Sequence, residues 1–309
     1  HEEIKAEPKV EVKDVPAPVP EVKQTAIEPV AEPEPTPPAD LSGWIIYTTT
    51  DGEDINFWNT AAVNSCIDEF GAYIGPNGER YIHVKSIPED FQGGFYNFKN
   101  LKTIDLTHVD FSNCKTLKNL FYESSSVEKI DMSGLNLQNV TDMSYMFENC
   151  ANLKELKLKG IDATNAETME SMFKECTSLE EVDFTGVKSS RCSNTYAMFM
   201  NCGSLKSYNL AQVGECQKEF TSVMFLGCKS LKTIDLSAMN WKLIGMEDDY
   251  KISSTIKGCS PSEIKIPAIL TDYVMSIALM GVESDGTLYY PKGSDPKSAI
   301  AFLQSGGRK

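Results

Sequence analysis

Apolar positions recur along this chain at one interval of 26 residues. Leu101, Val127, Leu153, Leu179, Leu205 and Leu231 open the phrases LKTIDL, VEKIDM, LKELKL, LEEVDF, LKSYNL and LKTIDL, with no insertion between the first and the last. Within a phrase the apolar positions are the first, fourth and sixth, as in Leu101, Ile104 and Leu106, and the last two alternate with polar residues as in a strand. Later in the unit the period changes. Val140, Met143, Met146, Phe147 and Cys150 fall on one face of a helix, and Ala166, Met169, Met172, Phe173 and Cys176 repeat that face in the next unit. Asn139 or Thr141 would cap the helix start. Each unit therefore predicts a short strand, a connection, a short helix and a tight return.

Leu-x-x-Ile-x-Leu is a leucine-rich-repeat phrase. The expected fold is an α/β leucine-rich-repeat solenoid of 26-residue repeats, with a parallel strand ladder on the concave side and short helices on the convex side. No single unit can bury its own apolar face, so the stack is stable only as a whole, with caps at both ends. Such a stack offers long repetitive surfaces, which shifts the expected function from catalysis toward binding.

The flanks differ in composition. Residues 1–40 hold nine of the fifteen prolines, no aromatic residue, and ten acidic against four basic side chains. That segment cannot bury enough surface to offset its ordering entropy, so it reads either as an acidic, extended stalk or as a disordered terminus without a role. Residues 41–94 read as an N-terminal cap, with a strand at Trp44–Tyr47 and turns at Thr50-Asp51-Gly52 and Asn77-Gly78. Residues 95–270 are the solenoid, ending in an irregular turn around Cys259, Ile264 and Ile266 with residues inserted from about Met246 to Tyr250. Residues 271–309 read as a C-terminal cap with short helices at 271–280 and 295–304, Asp295-Pro296 opening the second.

The net charge of −15 comes without a basic cluster, which argues against nucleic acid and against anionic membrane surfaces. No apolar run is long enough to span a bilayer. The first residue is His1 rather than Met, which suggests removal of a signal segment.

Of nine cysteines, Cys150, Cys176, Cys202 and Cys228 share one repeat position. A column of buried free thiols is the plain reading. Neighbours would be close enough for disulfides, yet parallel inward side chains approach each other poorly. A flat column cannot surround zinc tetrahedrally. No cofactor is expected, and no metal site. Glu247-Asp248-Asp249 offers hard oxygens but not the spacing of a calcium loop, so an exposed acidic loop stands beside it. There is no G-x-S-x-G, no His-Glu-x-x-His and no phosphate-cradling glycine loop, and an enzyme is the least favoured class.

The candidate partner-binding residues lie on the strands. One column is Asp105, Asp131, Lys157, Asp183, Asn209 and Asp235; beside it run Lys129, Glu155 and Glu181. Neighbours in a column stand about 4.8 Å apart, where like charges repel, so Asp183 beside Glu155 and Glu181 would favour a cation or a basic partner. The plainer reading is a solvated strand face. Trp44, Trp58 and Trp241 would stack sugars if exposed, with Trp58 better placed for the core.

Thr141-Asp142-Met143-Ser144-Tyr145-Met146-Phe147, then Cys150 and Leu153, resembles the TDMSxMFxxCxxLxxLDLS signature of BspA-like leucine-rich-repeat surface proteins. It recurs from Met169 to Leu179, and more loosely at Tyr196–Leu205 and Ser222–Leu231. IIYTTTDG at 45–52 and GTLYYPKGS at 286–294 are similar to flanking segments of such proteins in Bacteroidetes. Asn194–Ala197 and Glu219–Ser222 depart from the signature, and Lys157 and Asn209 replace the usual strand Asp. The resemblance implies an exported monomer at the bacterial cell surface, lipid-anchored at the outer membrane. It would adhere to host extracellular or bacterial surface proteins, or to glycans, and touch membrane only through an N-terminal lipid anchor. A nutrient-glycan binding module and a structural envelope protein remain as other classes.

Overall fold

The computed structural model describes residues 38–56, 61–209, 222–235, 255–265, 287–289 and 297. The expected stalk up to residue 37, Trp58, Trp241, the insertion with Glu247-Asp248-Asp249, and all but Lys297 of the two expected C-terminal helices lie outside the described residues.

A small cap comes first: β1 (Trp44–Thr49), the one-turn α1 (Ala61–Asn64), β2 (Ile67–Ile74) and β3 (Arg80–Val84). The coils follow, each opened by a strand: β4 (Leu101–Asp105), β5 (Lys129–Asp131), β6 (Glu155–Lys157), β7 (Glu181–Asp183), β8 (Ser207–Asn209), β9 (Thr233–Asp235) and β10 (Glu263–Lys265), with β11 (Thr287–Tyr289) last. Strand β1 runs antiparallel to β3 on one side and to β4 on the other. It thereby covers the edge that the first coil would otherwise expose. From β4 to β6 the pairing is parallel and in step with the repeat, Ile104 beside Ile130 beside Leu156. Strands β7 and β8 pair likewise, Val182 beside Tyr208. The last ladder joins β9, β10 and β11, with Thr233 opposite Glu263, so the extra residues of the irregular turn fall between those two strands.

The spacing and the parallel ladder agree with expectation; the convex helices do not. This is a β-solenoid, and among the described residues the only helical segment of more than one residue is α1. A helix over Met169–Cys176 would close the Phe173 amide onto Met169. Instead Ser171, Phe173 and Glu175 donate to Tyr196, Met198 and Met200 of the next coil at 2.8, 2.8 and 2.9 Å. The residues between them, Met172, Lys174 and Cys176, close local three-residue turns onto Met169, Ser171 and Phe173. Alternate amides thus point along the stack and around the coil. The cause is a left-handed residue at every fourth position: Asn119 and Glu123, Tyr145 and Asn149, Ser171 and Glu175, Ala197 and Asn201 all have φ between 52° and 62°. Each such residue turns the backbone out of the helical path. The expected caps serve the stack instead, Asn139 Nδ2 donating to Ser112 O at 2.6 Å and the Thr141 amide to Lys115 O at 2.9 Å in the preceding coil.

Turns and helix bury similar spacings, so the apolar face fills the core as expected. Phe95, Phe121, Phe147, Phe173, Phe199 and Phe225 are fully buried in one continuous stack, with centroids 5.0–5.7 Å apart and planes within 21° of parallel. Beside it, Cys150, Cys176, Cys202, Cys228 and Cys259 are buried free thiols. Each Sγ–H points to the carbonyl of the phenylalanine in the preceding coil at 3.0–3.2 Å, and Ser124 does the same with its hydroxyl at 2.6 Å. Burial raises these thiols above their ordinary range, Cys259 to about 12, which leaves them protonated donors.

The strand side is less continuous. No ladder joins β8 to β9, and Tyr208 supplies the reason. It stands where other coils carry Ile, Leu or Val. Its ring packs 4.6 Å from Phe225, and its hydroxyl donates to Asp235 O at 3.1 Å and accepts from the Asp235 amide at 2.8 Å. One side-chain hydroxyl replaces two ladder partners. Between β6 and β7 the ladder is also open. Continued pairing there would set Glu155 against Glu181, an unfavourable like-charge pair.

Candidate partner-binding surface

The strand columns stand as the register requires. Thr103, Lys129 and Glu155 form one row, and Asp105, Asp131 and Lys157 the next. Beyond the open ladder, Glu181 sits beside Ser207 and Asp183 beside Asn209. Glu155, Lys157, Glu181, Asp183 and Asn209 are exposed; Asp105, Lys129, Asp131 and Asp235 are half-buried. Trp241 lies outside the described residues.

Most of these charges already have partners. Asp105 Oδ1 accepts the Thr107 amide at 2.8 Å and its hydroxyl at 2.7 Å; Asp183 takes Thr185 in the same way, at 2.8 and 2.6 Å. Asp131 accepts the Ser133 amide at 3.1 Å. The strand aspartates therefore close the turn that follows each strand, a job set by the local sequence Asp-x-Ser/Thr. Lys157 reaches Asp131 at 3.0 Å and Glu155 at 3.8 Å, Lys129 reaches Glu155 at 3.1 Å, and Lys265 reaches Asp235 at 3.4 Å. Asn209 donates to Asp183 at 3.3 Å. Asp183 is held below the ordinary carboxylate range by the Thr185 hydrogen bonds. At Asp131 burial acts to raise the carboxyl, but hydrogen bonds from Lys157 and Ser133 outweigh it and the net shift is downward. Asp183 is thus engaged by Thr185 and Asn209, and Glu155 by Lys129 and Lys157. Glu181 differs: its exposed side chain makes no ion pair or hydrogen bond among the described residues.

A groove of about 600 Å³ opens beside Glu181, lined by Lys154, Ser178, Glu180, Glu181, Ser204, Lys206 and Ser207. It borders the open ladder on the β7 side. Apart from Glu181, its charged lining comes from the second position of the repeat phrase, which reads Lys102, Glu128, Lys154, Glu180, Lys206 and Lys232. Adjacent members pair across coils, Lys154 with Glu128 at 3.5 Å and Lys206 with Glu180 at 2.6 Å. Lys154, Glu180 and Lys206 are absent from the predicted candidate set, although their alternating sign is plain in the phrases.

Residues 89–213 match the model of a family described as "Mycoplasma protein of unknown function, DUF285". The matched stretch runs from the end of the cap segment through β8, so it covers coils of the kind just described. Comparison with curated proteins gave no match. The match and the 26-residue coils together support a repeat solenoid.

The turn side carries aromatic residues that the periodicity reading assigned no role. Tyr96 is 41 % exposed and stacks on Tyr122 at 5.7 Å, and Tyr196 is also 41 % exposed. Tyr145 donates to Glu170 at 2.5 Å and lies under the Lys118 ammonium, 5.6 Å from the ring centroid. Trp44, by contrast, is 6 % exposed and packed edge-on against Tyr73, Tyr81 and His83, which removes it as a sugar platform. No helix among the described residues is long and apolar enough to cross a membrane.

Proposed function

We propose that this chain is a binding module of BspA-like type, exported and displayed at a bacterial surface, that adheres to host or bacterial proteins through its strand side. The observation that carries the reading is the groove beside the β6–β7 opening. There the strand face acquires depth, and Lys154, Lys206 and Glu180 stand together with Glu181, which has no partner among the described residues. Such mixed charge suits a protein surface, where complementary potentials set encounter rate and register more than affinity. The aspartate column beside it serves the fold first. Replacing Asp131, Asp183 and Asp235 with Asn keeps an Oδ1 acceptor for the turns, so its effect on adhesion should be smaller than that of groove variants.

The exposed Tyr96 and Tyr196 favour a second reading, in which a glycan docks on the turn side. One experiment separates the two. Lys154→Glu with Glu181→Lys, and Tyr96→Ala with Tyr196→Ala, are compared for adhesion to extracellular-matrix proteins, partner bacteria and glycan arrays across a salt series. Loss of salt-sensitive protein adhesion in the groove variant alone supports the strand-side reading. Loss of glycan binding in the tyrosine variant alone supports the second. Full retention by both variants would defeat each of them.

A further inference from the structure

The strand-side groove differs from the rest of its face in what it leaves without a partner. In the closed ladders, the carbonyl at the second phrase position accepts amides of the next coil. Lys102 O takes the Glu128 amide at 2.8 Å, Glu128 O takes Lys154 and Glu155 at 2.9 and 3.0 Å, and Glu180 O takes Lys206 and Ser207 at 2.7 and 3.4 Å. Lys154 O, the equivalent group at the open ladder, accepts no amide among the described residues. A row of side chains is interrupted at the same place. Ser126 donates to Leu101 O at 2.8 Å and Ser230 to Gly203 O at 2.7 Å, both in the preceding coil. The hydroxyls of Ser178 and Ser204, in the same row, make no hydrogen bond among the described residues, and both residues line the groove.

Charge points the same way. Val182 is buried, so strand alternation turns Glu181 outward, in register with Ser207 of β8. Lys154 and Lys206 stand on neighbouring coils but are answered by Glu128 at 3.5 Å and Glu180 at 2.6 Å. Glu181 is the carboxylate left over. The free groups of the groove are therefore oxygens around one negative charge: a carboxylate, a backbone carbonyl and serine hydroxyls. Such a set suits a cation that carries many donors. An ammonium offers three and is strongly hydrated. A guanidinium offers five in one plane, pairs with a carboxylate through two of them, and gives up water more readily. Among the described residues no group of three or more His, Cys, Asp or Glu stands together to hold a metal ion.

We propose that the groove receives an arginine side chain of the partner protein, its guanidinium paired with Glu181 and donating to Lys154 O and the free serine hydroxyls. This docking mode rests on the strand-side reading above and names the group by which the partner is held. The site lies at the surface, so the ion pair is screened and a single arginine binds weakly; a whole partner adds the contacts around it.

The test uses the full chain labelled with nitrogen-15 and follows the amide signals of Glu180, Glu181, Ser204 and Ser207 at matched ionic strength. The probes are N-acetyl-arginine methylamide, its lysine analogue, and its citrulline analogue, which keeps the shape without the charge. The expected result is a saturable shift with the arginine probe, about fivefold weaker with lysine or citrulline. Glu181→Gln should weaken the arginine probe by about the same factor, and Ser178→Ala with Ser204→Ala by about twofold. No saturable shift, an equal response to lysine or citrulline, or full binding by Glu181→Gln would overturn the proposal. So would a shift produced by calcium chloride but not by the arginine probe. Adhesion measured in parallel keeps the two readings apart. Adhesion lost in the Lys154→Glu, Glu181→Lys variant, with no probe shift in the unaltered chain, would overturn the arginine site and leave the strand-side reading standing. A saturable, Glu181-dependent shift with adhesion fully retained would uphold the arginine site and defeat that reading.

Discussion

The two sides of each coil solve the same problem with different materials. On the turn side, alternate amides hydrogen-bond from coil to coil without a break from Gly93 to Asn201, over a phenylalanine stack and a row of thiol donors. On the strand side the ladder opens twice, once around Tyr208 and once between Glu155 and Glu181. The opened side is the more variable in sequence, from Lys157 to Asn209 in one column. The closed side repeats Phe, Cys and Met with few departures. Stability is concentrated where the sequence is uniform, which leaves the strand side free to vary its surface.

The largest test of that contrast is core deletion on each side. Phe173→Ala should cost roughly 3–5 kcal/mol in denaturant unfolding, because the side chain is fully buried between two stacked neighbours. Val182→Ala on β7 should cost about 1.5 kcal/mol, the transfer value of the lost methyl groups. Equal costs would remove the distinction. Next in size is Tyr208→Phe, which strips two partners from Asp235 and should cost about 1–3 kcal/mol. If the variant is neutral, water or the strand itself replaces the hydroxyl and the opening has another cause. Smaller still is Glu181→Thr, which removes the like-charge pair and should let β6 and β7 close, adding a few tenths of a kcal/mol. New amide protection at both strands would accompany it.

How much of this was legible in the residues follows from what periodicity can report. The 26-residue phrase, the strands and the buried Phe and Cys positions are all readable, because burial depends on spacing alone. The helices were misread because consecutive turns bury residues at i, i+3 and i+4 just as a helix does. A signal did exist. The residue before the repeated cysteine is Asn149, Asn201, Gly227 or Gly258 in four of five coils, and each has φ between 61° and 78°. These residue types favour the left-handed conformation that ends a helix. The candidate columns stood in the right rows, but their carboxylates are claimed by Asp-x-Ser/Thr turns, which sequence also displays. The groove was not legible, since it depends on a ladder that fails to form.

The smallest effect concerns pH. Asp131 has a depressed carboxyl in the folded state, through Lys157 and Ser133 acting against burial. Its contribution is present above the unfolded carboxylate value of about 3.9 and is lost as pH falls through the lower folded value. Asp131→Asn should flatten that part of the acid limb and leave stability near neutrality little changed, because the Asp131–Lys157 pair is partly exposed. A variant that loses stability equally at all pH values would assign Asp131 a packing role instead.

Native-state hydrogen exchange, resolved by residue, tests the central claim most directly. Amides of Phe147, Ser171, Phe173 and Glu175 on the turn side should exchange only through global unfolding. Amides of Leu158, Glu181 and Asp183, which face the open ladder, should exchange much faster, through local opening, in the same molecules. Equal protection on both sides of coils three and four, or faster exchange on the turn side, would contradict the account.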